Sequence, residues 1–171
     1  MGQTAQKIIK LDKKKLIKAL NEALAEEWLA YYQYWVGAKV VSGITRSQVE
    51  KEFMEHANEE LEHANEVADR IIQLGGTPLI HPNEWEKNAR CKYAAPKDED
   101  VLPLLKQNLT AERCAIQRYQ EICDMCIGKD PITFHMSRHI MEEEIQHEQE
   151  IEDMIADIET FIDRYVKGKK K

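Results

Sequence analysis

Four stretches of this chain carry apolar residues at alternating steps of three and four, the period of an α-helix with one buried face. In the first, Leu20, Leu24, Tyr31, Tyr34 and Ala38 share a stripe with Glu27. In the second, Val49, Phe53, Val67 and Ile71 share theirs with His56, Glu60 and His63. Leu105, Leu109, Ile116, Tyr119, Cys123 and Cys126 accompany Glu112 in the third. In the fourth, Ile140, Ile151, Met154, Ile158, Phe161 and Tyr165 accompany Glu144 and His147. Each buried face is therefore interrupted near its middle by a carboxylate. A chain patterned in this way folds as a helical bundle that gathers four carboxylates inside it.

The punctuation between the stripes sets the connections. The first helix is expected from about Leu11 to Val41, followed by the short turn "SGITRS". Ser47 with Glu50 reads as a capping box for the second helix, which "GG" at 75–76 ends. Residues 77–98 are irregular, with Pro78, Pro82 and Pro96, and "PNEWEKNA" (82–89) is expected as a short helix within them. "GKDP" breaks the third helix from the fourth, with Asp130 as N-cap and Pro131 in the first turn. Short turns make helices one and two, and three and four, antiparallel hairpins. The twenty-odd residues between the hairpins are long enough to run the length of a bundle. The expected fold is all-α, a single domain over residues 1–171, built as a four-helix bundle with one long crossover between helices two and three.

Composition excludes several classes. Residues are 43% apolar and 32% charged, with a net charge of −7, against the basic face a nucleic-acid binder needs. "KIIKLDKKKLIK" near the start and "KGKKK" at the end are basic exceptions, read as solvated ends, with a weak salt-sensitive DNA contact as the minor alternative. No run approaches a membrane span, and "MGQTAQKIIKLDKKKL" lacks the apolar centre of a signal peptide, so a cytoplasmic location and no membrane partner are expected. Four cysteines at 91, 114, 123 and 126 do not make a secreted disulfide framework, and the one CxxC (123–126) lacks the second pair of a zinc knuckle.

The interruptions repeat. Glu27, Ala30 and Tyr34 superpose on Glu112, Ala115 and Tyr119 at an offset of 85, and Glu60 and His63 on Glu144 and His147 at 84. Such repetition is the mark of a duplication or a pseudo-two-fold bundle. A single Glu on an apolar stripe is ordinarily an interface salt bridge. Four carboxylates buried together and unpaired would cost several kcal/mol each, and no Lys or Arg lies on these stripes near them. Two divalent cations would balance them. Glu and His three apart share a helix face and can share a metal. A mixed oxygen and nitrogen shell without thiolate suits iron or manganese, with zinc not excluded by affinity. The candidate ligands and catalytic residues are Glu27, Glu60, His63, Glu112, Glu144 and His147. His56 reads as a core histidine, with a lower-occupancy ligand or gate as the alternative. Trp28, Trp35 and Trp85 read as packing.

"AEEWLAYYQYW", "EELEHANE", "TAERCAIQRYQ" and "EEEIQHEQE" together resemble the ferritin-like superfamily over almost the whole chain. They are most similar to the Dps-like proteins, which join a Dps-type cage to a bacterioferritin-type dinuclear site. The resemblance implies Glu27 and Glu112 as terminal ligands, Glu60 and Glu144 as bridging ligands, and His63 and His147 as terminal ligands. It makes Tyr34 a neighbour of Glu27 just outside the ligand set, with Tyr119 in the same role in the other half. Leu61 stands where bacterioferritins carry a haem-binding methionine, so no haem is expected. No fifth helix has room after Tyr165, and ordinary Dps proteins lack paired ExxH. Cys91 and Cys114 match the family's cysteine pair near the site, as a disulfide or a dithiol switch, whereas Cys123 and Cys126 pack in the core. The implied function is a ferroxidase that binds two iron ions per subunit and oxidises Fe(II), preferring hydrogen peroxide to dioxygen. It would store the ferric product in a dodecameric cage against oxidative stress. The alternative is a rubrerythrin-like or manganese-catalase-like dinuclear peroxidase without storage.

Overall fold

The structure is a computed structural model that describes residues 2, 4 and 7–167. The terminal lysines expected as a solvated end or DNA contact therefore fall, at 168–171, outside the described residues. Helix α1 (Lys13–Val40) starts on Asp12, whose carboxylate accepts hydrogen bonds from the amides of Lys14 and Lys15. Helix α2 (Arg46–Gln73) lies along it. The capping box expected at Ser47 does not form. Thr45, at φ 68°, is the N-cap without a side-chain bond, and its carbonyl accepts from the amides of Gln48 and Val49. The tight turn through Gly43 places the N-cap at Thr45, ahead of the Ser47 signal, leaving Ser47 inside the first turn. Glu50 faces the exposed Arg46 instead. Gly43 itself sits at φ 102°, and a Cβ there would come 2.7 Å from the Asp100 carboxylate.

From Leu74 the crossover runs to Asp100, with a 3₁₀ turn at Pro82–Glu84 and the short helix α3 (Trp85–Asn88). Trp85 stacks on Trp28 of α1 with ring centroids 5.2 Å apart, which pins the crossover to the bundle. It then ends against the α1–α2 turn, where Ser42 exchanges backbone hydrogen bonds with Glu99 and Val101. Helix α4 (Val101–Cys126) and helix α5 (Pro131–Phe161) form the second hairpin. Asp130 caps α5 through the amides of Ile132 and Thr133 and, fully buried, takes both of its oxygens to the Arg70 guanidinium at 2.9 and 2.8 Å.

The core is in two parts. Leu16, Leu20, Leu24, Val67, Ile71, Ile122 and Ile140 fill one end of the bundle. Val49, Phe53, Val101, Leu104, Leu105 and Ile151 fill the other. Between them lies a layer of buried polar side chains. Cys123 and Cys126 are buried as free thiols, in keeping with a packing role. The fourth stripe fades at its end: Phe161 and Tyr165 are 45% and 58% exposed, because the last turns of α5 and the π-helical Ile162–Lys167 run past the packed helices.

Candidate metal centre

All six residues read from the stripes converge in the polar layer, each no more than 2% exposed. They form two quartets, Glu27–Glu60–His63–Glu144 and Glu60–Glu112–Glu144–His147, whose donor atoms lie within 4.8 Å of one another. Glu60 and Glu144 belong to both. Glu144 turns Oε1 to His63 Nδ1 at 3.2 Å and Oε2 to His147 Nδ1 at 3.4 Å. Glu60 divides its oxygens in the same sense, Oε2 toward His63 at 3.6 Å and Oε1 toward His147 at 3.9 Å. Four helices thus supply one carboxylate each, and α2 and α5 add the imidazoles three residues on.

The outward nitrogens of both histidines are held by carboxylates that the sequence reading did not single out. His147 Nε2 meets Glu59 and His63 Nε2 meets Glu143, both at 2.8 Å. Each carboxylate precedes the ExxH of its own helix and reaches across to the histidine of the other. The signal was present as the doubled "EE" in "EELEH" and "EEIQH". An imidazole so held directs Nδ1 into the cluster with its lone pair available once the proton leaves.

The tyrosines cross over too, and here the structure corrects the expectation. Tyr34 donates its hydroxyl hydrogen bond to Glu112 rather than standing beside Glu27, and Tyr119 donates to Glu27. Seven residues are two helical turns, about 10 Å along the axis, which puts each tyrosine out of reach of the glutamate on its own helix. Antiparallel packing of α1 against α4 brings it to the glutamate opposite. Burial, and then the neighbouring carboxylates, push both phenols well above their ordinary pKa, so they remain donors.

Electrostatics in the layer are governed by burial and by the mutual repulsion of the carboxylates. Burial and the charges of neighbouring glutamates raise Glu60 well above the carboxylate range and push Glu144 up to about 7. Burial would lower both histidines, but the glutamates around them outweigh it. They hold His63 above the ordinary imidazole value and carry His147 up to about 12. Glu112 runs the other way: burial pulls it up, and His147 with its other partners holds it down.

The donor set fits a pair of divalent cations. Glu27 Oε2, Glu112 Oε2, both oxygens of Glu144 and Nδ1 of both histidines are buried without a hydrogen-bond partner. Buried polar atoms are ordinarily satisfied. Here six of them from four helices are left facing one another.

A buried carboxylate, Glu26, ties the crossover to this layer. It accepts the amide of Arg90 at 2.7 Å and two hydrogen bonds from Arg118 at 2.9 Å each. Further along, Gln33 accepts the amide of Ala94. These bonds set Cys91 over α4, where it is disulfide-bonded to Cys114 with Cα atoms 6.1 Å apart. Beneath the bridge is a cavity of about 370 Å³, lined by Cys91, Cys114, Tyr93, Gln107, Glu27 and Glu60. No cue in the sequence distinguished Glu26 from the ligand beside it.

A bundle with a Glu from each of two helices and Glu-x-x-His from each of the other two defines the class of ferritin-like carboxylate proteins. Residues 17–161 match the ferritin-like domain, and the chain belongs to that family. It is 35% identical to the DNA protection during starvation protein of Pyrococcus furiosus over 85% of this chain and 80% of that one. A dodecameric thioferritin, the bacterioferritin-related protein of Bacteroides fragilis, superposes with a TM-score of 0.91 at 52% identity, covering 92% of this chain and 94% of that one. A ferritin-like diiron-carboxylate protein of Bacillus anthracis superposes with a TM-score of 0.72 at 28% identity, covering 84% of this chain and 97% of that one. Among the described residues, no helix is long and apolar enough to cross a membrane.

Proposed function

We propose that this protein is a ferroxidase that takes Fe(II) as substrate in pairs and stores the ferric product inside a dodecameric cage. The observation that carries the reading is the sharing of Glu60 and Glu144 between two otherwise separate quartets. Glu27 and His63 would hold one iron, Glu112 and His147 the other, with the shared carboxylates spanning both. Manganese or zinc would fit the same donors. Two adjacent Fe(II) ions can surrender one electron each to a single hydrogen peroxide, which takes up two protons and leaves as two waters without releasing a hydroxyl radical. Hydrogen peroxide is the proposed oxidant, in a role that protects against oxidative stress.

The chain's own groups serve that reaction. Glu59 and Glu143 orient the imidazoles, while Tyr34 and Tyr119 fix the rotamers of Glu112 and Glu27. The apolar clusters on either side keep bulk water from the layer. Relatives described as a dodecameric thioferritin, a starvation protein and a diiron-carboxylate protein support storage and iron as the metal.

The test is anaerobic Fe(II) loading, then hydrogen peroxide, following iron retained per chain and the mass of the particle. Tens of irons per chain in a particle of about twelve chains is the expected result. Rapid peroxide loss with about two metals retained per chain would mark a dinuclear peroxidase without storage. Loss of activity in Glu144→Ala, with the assembly intact, ties the chemistry to the shared ligand.

A further inference from the structure

One titratable side chain in the layer has no part in the two quartets. His56, one turn before Glu60 on α2, is 2% exposed, and its ring stacks on His147 with centroids 4.0 Å apart. Its Nε2 lies 3.1 Å from Glu150 and 3.7 Å from Glu52. These two carboxylates are 35% and 23% exposed, so they open on the bundle surface while the imidazole between them is closed off. The other ring nitrogen, Nδ1, has no hydrogen-bond partner.

His56 also stands in two groups of metal-ligating side chains at once. Its donor atoms lie within 4.8 Å of those of Glu52 and Glu150 on the outer side, and of Glu112 and His147 on the inner side. Glu150 is further fixed by Gln146, which donates to its Oε1 at 2.8 Å and leaves Oε2 toward the histidine. A surface ion pair would use a lysine or arginine at this place. What stands there is a neutral-capable nitrogen between two carboxylates, the donor set of a divalent cation.

We propose that Glu52, His56 and Glu150 form a third cation site, which captures a divalent ion at the bundle surface and passes it inward to Glu112 and His147. The binding half stands on these residues alone. The delivery half rests on the dinuclear reading of the inner layer. Two part-exposed carboxylates raise the local concentration of a divalent ion, and a buried imidazole between them and the inner donors shortens the transfer to one ring width.

Anaerobic titration with Co(II) alone, followed by calorimetry and the visible ligand-field bands, tests the site in the intact protein. Glu52→Gln with Glu150→Gln is the variant of choice, because both positions are part-exposed and the amide keeps the shape. About three ions per chain in the wild type and about two in the double variant are expected. Equal stoichiometry in the two proteins, or a wild type that stops at about two, overturns the site. A wild type binding about one ion that the double variant loses keeps this site and overturns the dinuclear one. For delivery, the double variant's rate of Fe(II) oxidation at sub-saturating iron falls about tenfold while its saturated rate holds. An unchanged rate at low iron overturns the delivery role.

Discussion

The layer's own titratable groups answer its charge problem with protons. The surrounding glutamates carry His147 to about 12 and raise His63, which favours the protonated rings, whereas only the neutral ring coordinates. Loading the layer at pH 7 therefore releases about two protons per chain from the histidines, and more from carboxylates such as Glu144. A pH indicator in weak buffer, mixed anaerobically with Co(II), reads this directly. The sign follows: affinity rises with pH as these groups lose protons, and falls steeply once the carboxylates protonate. Equal occupancy at pH 4 and pH 7 would be incompatible with these ligands. Glu59→Gln or Glu143→Gln replaces the charged acceptor behind one imidazole with a neutral amide, and metal affinity drops by about ten- to a hundredfold. The matched pair of calorimetric titrations decides it, because a solvated surface glutamate would give no change.

At the scale of elements, the α4–α5 turn carries a stability device remote from the metal layer. Burial works to raise the Asp130 carboxyl, but hydrogen bonds from Thr133 and Arg70 outweigh it and hold it below the usual range. A depressed folded pKa gives stability that is full above the ordinary carboxylate pKa and is lost as pH falls through the lower value. Asp130→Asn should cost about 3–5 kcal/mol at pH 7, since Arg70 is left buried and unpaired. Guanidinium melts at fixed protein concentration should show that gap narrowing only in strong acid. The helices themselves, and which six residues would meet, were legible because the 3.6-residue period fixes a face from one chain segment. Contacts across the bundle were not. The partners of Tyr34 and Tyr119 depend on the register of α1 against α4, which no single-helix period carries. Glu26, Glu59 and Glu143 each sit beside a stripe residue and look like solvated charge until a second element is placed against them. The start of α2 was misread because the Thr45 backbone, rather than the Ser47 side chain, makes the cap.

For the whole molecule, the Cys91–Cys114 bond is the only disulfide among the described residues, and it cross-links the crossover to the second hairpin. It closes a separation of 23 residues, so Cys91→Ser should lower stability by about 3 kcal/mol. The crossover should then be cut faster by protease at 92–99 than in the wild type, and equal urea midpoints and cleavage rates would deny the bond a structural role. The hairpins have a different relation to one another. Each quartet takes three residues from one hairpin and its fourth from the other, and Tyr34 and Glu59 serve residues of the second hairpin while Tyr119 and Glu143 serve the first. On the proposed function, this crossing acts as a safety interlock. A nascent, truncated or heat-damaged chain in which one hairpin has not docked presents no paired site, and so cannot begin oxidising iron before it is folded.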